Sequence, residues 1–150
     1  LQAVIGKAPG VNIRGVNHHG LSIEEANPQL ALRFADGAVV ASGTISFEAA
    51  LYNTPSVVIY KLSPFTWFFA KRIAKVKHVS MPNLIAGREL FPELLQEKAT
   101  PELVAANLQH LLADEEKQDE IYSGMAEVQN AMGEPGAAKR AAKLILQKLE

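Results

Sequence analysis

The sequence predicts an α/β protein: a parallel sheet flanked by helices, closed by an all-helical C-terminal tail. Three observations carry this reading. Short β-branched runs at Val11 to Val16, Gly37 to Ala41 and Pro55 to Tyr60 are each bounded by turn residues, and the last two are continuously apolar, as strands covered on both faces are. Helical patterns of crossover length lie between the runs, the signature of parallel strands. Beyond Pro92 the strand signal stops and only helical spacing remains.

Each element has its own local reason. His78 to Met81 is a fourth and weaker strand candidate. Asn27-Pro28 combines a capping residue with a proline suited to the first helical position, and Leu30, Ala31 and Phe34 then share one face. Ser22 and Glu25 have capping-box spacing for an earlier turn, which Pro28 keeps short. Ser42-Gly43 opens a helix over Thr44 to Tyr52, and Ser63-Pro64 opens another to about Val76. Thr100-Pro101-Glu102 starts a helix with Val104, Leu108, Leu111 and Leu112 on its apolar face. Ile121, Met125, Val128 and Met132 continue the helical spacing until Gly133 to Gly136 break it. A last helix, Ala137 to Leu149, is expected to turn Ala141, Leu144, Ile145 and Leu149 inward. The division that follows is an α/β unit over residues 1–97 and a helical extension packed on it over 98–150.

Composition narrows the function classes. Fifteen Lys and Arg against sixteen Asp and Glu leave a formal charge of -1, which argues against nucleic acid as a partner. With no cysteine there is no disulfide, thiolate metal site or thiol nucleophile, which fits a reducing compartment. No apolar run reaches the roughly 18 residues of a spanning helix, and no signal-peptide pattern opens the chain. The paired His18-His19 lacks a matching carboxylate spacing and is read as a loop pair rather than as ligands, and His78 and His110 are isolated. No serine elbow, Walker-type loop or HExxH motif occurs, and no residue stands out as a placed general base.

Three stretches carry candidate chemistry. In Ala41-Ser42-Gly43-Thr44, a buried strand empties directly into a helix start, so free N–H groups and the Thr44 hydroxyl face the carboxyl edge of the sheet. Gly43 lets a ligand approach the backbone, and Glu48, one turn on, suits a pair of sugar hydroxyls; an ordinary capped turn would read the same. The stretch 80–96 carries Asn83, Gly87 and the Arg88-Glu89 pair, with Arg88 suited to clamp a diphosphate and a solvated helix start as the plain alternative. In the stretch 64–77, Phe65, Trp67 and Phe68 precede Lys71 and Arg72, a pattern that seats rings in a lipid interface and cations at headgroups; it equally describes a helix packed on a sheet with a basic outer face.

The blocks Ala41 to Ala49, Tyr60 with Pro64-Phe65-Thr66-Trp67, Pro82 to Leu90, and Glu93-Leu94-Leu95-Gln96 stand in an order and spacing that resemble lipid-A-disaccharide synthase. The resemblance runs over essentially the whole chain and is clearest at 37–97. It implies the C-terminal part of a GT-B glycosyltransferase with two Rossmann-like domains, acting peripherally at the cytoplasmic face of the inner membrane. Such an enzyme transfers 2,3-diacylglucosamine from UDP-2,3-diacylglucosamine to lipid X and releases UDP. Carried over residue by residue, Gly43 and Thr44 face the diphosphate, Glu48 the ribose, and Asn83, Arg88, Glu89 and Gln96 line the donor site. Neither a metal nor a nicotinamide cofactor is implied. The catalytic acidic residue of that family falls in an N-terminal half, so no base is assigned in this chain. The resemblance also implies that two strands lie upstream and that the chain starts near the end of a helix. The sheet would then lack its middle, with edges open to a homodimer or swapped partner. Two rival readings stand beside it: another UDP-sugar enzyme, such as an epimerase or peptidoglycan glycosyltransferase, and a non-catalytic module binding membrane or partner through 64–77.

Overall fold

A computed structural model describes residues 2–13, 20–63, 65–67 and 77–149. Its centre is a parallel sheet of β3 (Ala38–Ala41), β4 (Ser56–Tyr60) and β5 (Glu93–Leu95), with β4 in the middle. Val39 lies opposite Val57, and Ile59 opposite Leu94. Val57 and Val58 point to opposite faces because side chains alternate along a strand, and both are fully buried, so β4 is covered on both sides. The continuous apolar run is therefore the right strand code for β4, whereas β3 corrects the expectation: it is an edge strand with Val40 buried on one face and Val39, at 43%, and Ala41 exposed on the other.

The sheet is not continuous. The short strands β1 (Val4–Gly6) and β2 (Ser22–Glu24) pair in parallel with each other and form a separate two-stranded sheet. This corrects two expectations, and it adds a strand at Val4 that the sequence did not mark. Ser22 to Glu24 is a strand rather than a capping box, and Glu24 instead accepts the Asn27 N–H at 2.8 Å, ahead of α1 (Pro28–Arg33). The run from Val11 is no strand over 11–13, where the chain leaves the Pro9-Gly10 turn; its remainder, with His18-His19, falls outside the described residues.

The 78–81 strand is also absent. Residues 77–80 bend into helix α3 (Met81–Ala86), which ends at Gly87 in the left-handed region. The real strand after it, β5, is three residues of Glu and Leu with no β-branched member; pairing with β4 makes it a strand, beginning with the Val58 N–H donated to Pro92 at 2.8 Å.

The helical tail builds much of the core. Helix α4 (Pro101–Ala113) is capped by Thr100, whose hydroxyl accepts the Leu103 N–H, and α5 (Glu115–Ala131) by Asp114, which accepts from Lys117. Leu111, Ile121, Met125 and Val128 are buried with Val40, Val57, Val58 and Phe91. Gly124 makes room at the α5 contact, because a Cβ there would stand 2.3 Å from the end of the Leu90 side chain, which would have to shift. Helix α6 (Ala137–Leu149) departs from expectation: Leu144, Ile145 and Leu146 are each more than 60% exposed, and Ala141 is exposed as well. Of the described extension, α4 packs against β3 and β4, and α5 packs against α2, α3 and α4.

Candidate nucleotide site

Three strand ends reach the carboxyl edge of the central sheet. From β3 the chain passes through Ser42-Gly43 into α2 (Thr44–Leu51). From β4 it passes into Lys61-Leu62-Ser63, and from β5 into Gln96. Gly43 has φ 133° and ψ −152°, a conformation open to glycine alone, and a Cβ there would meet nothing within 4 Å. The turn is thus strained for any other residue and open in front. Its carbonyl is occupied from behind, where Ser46 donates its hydroxyl at 2.7 Å and its N–H at 3.2 Å. No side chain caps the start of α2, so the Thr44 and Ile45 N–H groups and the exposed Thr44 side chain remain directed at whatever approaches the edge. Glu48 is half-buried one turn further, with no hydrogen-bond partner for its carboxylate among the described residues.

Gln96 joins this edge from the other side. Its backbone has φ 53°, uncommon for a residue with a side chain, and it is 9% exposed. Oε1 accepts the Leu62 N–H at 3.0 Å, which ties the ends of β4 and β5 together. A non-glycine held in this region costs of order 1 kcal/mol or more, and such strain clusters where a side chain must be aimed.

Not all the sequence-predicted residues gather here. Asn83 is fully buried: its Nδ2 donates to the Phe91 carbonyl and to Glu93, and its Oδ1 accepts from the Leu90 and Phe91 N–H groups, all at 2.8 Å. Its amide is spent on the loop into β5. Arg88 turns to the helical extension and makes a bidentate pair with Glu127 of α5, at 2.6 and 3.0 Å. That bond raises the Arg88 guanidinium above its ordinary pKa and holds the Glu127 carboxyl below the usual carboxylate range. Glu89 and Arg88 line an open cavity of about 300 Å³ with Lys117, Glu120 and Ile121. Both residues sit on the chain leading into β5, whereas the edge holding Gly43 is where the strands end. Of the 64–77 stretch, Phe65 is 75% exposed and Trp67 half-buried in a helical turn started by Ser63; Phe68, Lys71 and Arg72 lie outside the described residues.

The sequence names Ser42 in the turn and Glu93 in a block of the resemblance but assigns neither a site role. The Ser42 hydroxyl donates to the Val79 carbonyl at 2.9 Å. Glu93 accepts from the Val79 and Ser80 N–H groups, the Ser80 hydroxyl and Asn83. No local signal marks Glu93, because the strand it opens takes its conformation from pairing with β4.

A parallel α/β unit whose strand ends converge on a glycine turn and an uncapped helix start belongs to the Rossmann-like class. Within that class the chain belongs to the lipid-A-disaccharide synthetase family, which it matches over residues 12–148. It is 40% identical to the lipid-A-disaccharide synthase of Trichlorobacter lovleyi over 79% of this chain and 31% of that protein. Against the enzyme of Myxococcus xanthus it is 36% identical over 99% of this chain and 40% of the relative. With that of Erwinia tasmaniensis it shares 47% identity over 65% of this chain and 26% of the relative. The chain thus spans between 26 and 40% of the length of these relatives. Among the described residues no helix is long and apolar enough to cross a membrane.

Proposed function

We propose that this chain is the UDP-sugar-binding portion of a lipid-A-disaccharide synthase, a glycosyltransferase that joins 2,3-diacylglucosamine from its UDP donor to lipid X. The observation that carries the reading is the Ser42-Gly43-Thr44 turn: open in front, glycine-only in backbone, and leading into a helix whose first N–H groups no side chain caps. There the α2 N-terminus and the Thr44 hydroxyl would hold the diphosphate and offset the negative charge that UDP gains as it leaves. Glu48 would accept bonds from the ribose hydroxyls, and Gln96 would close the site from β5. Asn83 serves this site from beneath by holding the loop. Arg88 and Glu89 reach a donor only if the Arg88 pair with Glu127 opens.

The acceptor hydroxyl must lose a proton as it attacks the anomeric carbon, and no residue of this chain is assigned as that base. An acceptor that is a lipid calls for a peripheral place on the inner membrane, with exposed Phe65 among the residues facing it. Open sheet edges at β3 and in the β1–β2 pair would accept a further strand, from the same polypeptide or a second copy.

The test is calorimetric titration of UDP, with a thermal melt alongside, because a ligand that binds only the folded form raises the melting temperature. Saturable binding, weakened by Glu48→Gln by about 1–3 kcal/mol, is the expected result. A chain that melts cooperatively and takes up no UDP overturns the reading.

A further inference from the structure

We propose that Glu93 is a positioning residue for the diphosphate turn, acting through the peptide plane between Val79 and Ser80; this rests on the donor-site reading above. A peptide unit is rigid, so the carbonyl of one residue and the N–H of the next move together. Here the two ends of one such plane are held by two different strands. At one end, Glu93 Oε1 of β5 accepts the Ser80 N–H at 2.9 Å. At the other, the Val79 carbonyl accepts the Ser42 hydroxyl at 2.9 Å.

Ser42 is the residue that continues β3 into the turn, where its own N–H still donates to Ile59 of β4 at 3.1 Å. Its hydroxyl bond therefore ties the residue just before Gly43 to a plane that Glu93 has already fixed. The clamp at the Glu93 end is dense: the same carboxylate takes the Val79 N–H through Oε2 at 2.9 Å, the Ser80 hydroxyl at 2.8 Å and the Asn83 amide at 2.8 Å. Charge-assisted bonds of this kind are the strong ones. Glu93 touches no ligand in this scheme. It sets where Ser42 sits, and Ser42 sets the direction in which Gly43 and the start of α2 present their N–H groups. A glycine turn with no side chain to brace it needs such support from outside.

Glu93→Gln keeps the shape but puts an NH2 group where one oxygen now accepts a backbone N–H. Dissociation constants of UDP and of uridine, which lacks the diphosphate, are measured on the full chain for the wild type, Glu93→Gln, Ser42→Ala and the double variant. Each single change is expected to weaken UDP by about tenfold and to leave uridine within about twofold. The double variant should bind UDP no more than about twofold more weakly than either single, because both break one link. Loss of global stability alone would move the melting temperature and leave the UDP-to-uridine ratio alone. An unchanged ratio in Glu93→Gln, or two losses that multiply, overturns the proposal while the donor site stands. If Glu93→Gln does not fold, Ser42→Ala decides at the other end of the same plane, and an unchanged ratio there overturns it equally. A wild-type chain that binds no UDP removes the donor site and this inference together.

Discussion

Helices α5 and α6 carry the same kind of code and meet opposite fates. Both repeat apolar residues at helical spacing and set charged residues on the other face. In α5, Ile121, Met125 and Val128 are essentially inaccessible; in α6, Leu144, Ile145 and Leu146 remain over 60% exposed. Helical periodicity shows that a face is apolar and says nothing of what covers it. The cover for α5 comes from chain far away in sequence: Leu90 fits against Gly124, and Gln129 donates to the Ala50 carbonyl at the end of α2 at 2.8 Å. Among the described residues no comparably extensive contact joins α6 to another element.

The contrast breaks most sharply inside α5. Met125→Ala should cost about 2–5 kcal/mol, since it removes a fully buried side chain from a core that can close only partly around the gap. Urea denaturation reads it as a lower midpoint at unchanged slope; a loss below about 1 kcal/mol would mean that α5 is held loosely and resembles α6 after all. Asn83→Ala comes next. It leaves the Leu90 and Phe91 N–H groups without their acceptor in a buried place, a loss of about 1–3 kcal/mol for the unsatisfied groups. Because Leu90 is what α5 packs on, the same substitution should also loosen α5, visible as faster amide exchange over 121–128.

The Arg88–Glu127 pair is a smaller term. Exposed ion pairs contribute little and are screened by salt, so Arg88→Ala should move the melting temperature slightly and less at high ionic strength. Its pH dependence has a definite sign. The Glu127 carboxyl is held below its ordinary value by the Arg88 hydrogen bond, so its contribution is present above the usual carboxylate range and is lost as pH falls through the depressed folded value. Arg88→Ala should abolish that acid-side difference in a melt series. If UDP affinity falls instead with stability unchanged, Arg88 has exchanged Glu127 for the donor.

How far the sequence could be read follows the same line between local and distant causes. The elements β3, α2, β4 and α4 were legible because their signals are local: β-branched runs, a Ser-Gly turn and a Thr-Pro start; the apolar face of α5 was legible too, but not the Asp114 cap that separates it from α4. Gly43 and Thr44 were legible with them, since strand-turn-helix alone sets a glycine turn at a sheet edge. The strand β5 was not, because Glu-Leu-Leu has no strand preference and takes its conformation from pairing with β4. The same holds for the site. Asn83 reads as a turn former or a ligand, and only its four partners show an amide consumed internally. Glu93 stands in the sequence only as one member of a resemblance block until Val79, Ser80 and Asn83 are seen to converge on it.

The smallest effect belongs to α6. Leu144→Ser with Ile145→Ser should change the stability of this chain by no more than about 0.5 kcal/mol, because both side chains are already in water and their removal uncovers nothing. The helix itself loses a little propensity, and its exposed turns fray in any case. A cost above about 1.5 kcal/mol would show that α6 is buried in solution against some part of this chain, most directly the α4–α5 pair, and the difference between α5 and α6 would vanish. A neutral result separates two uses of the same helical pattern. In α5 it builds the core that supports the carboxyl edge; in α6 it keeps an apolar face with Lys139, Arg140 and Lys143 beside it, outside that core altogether.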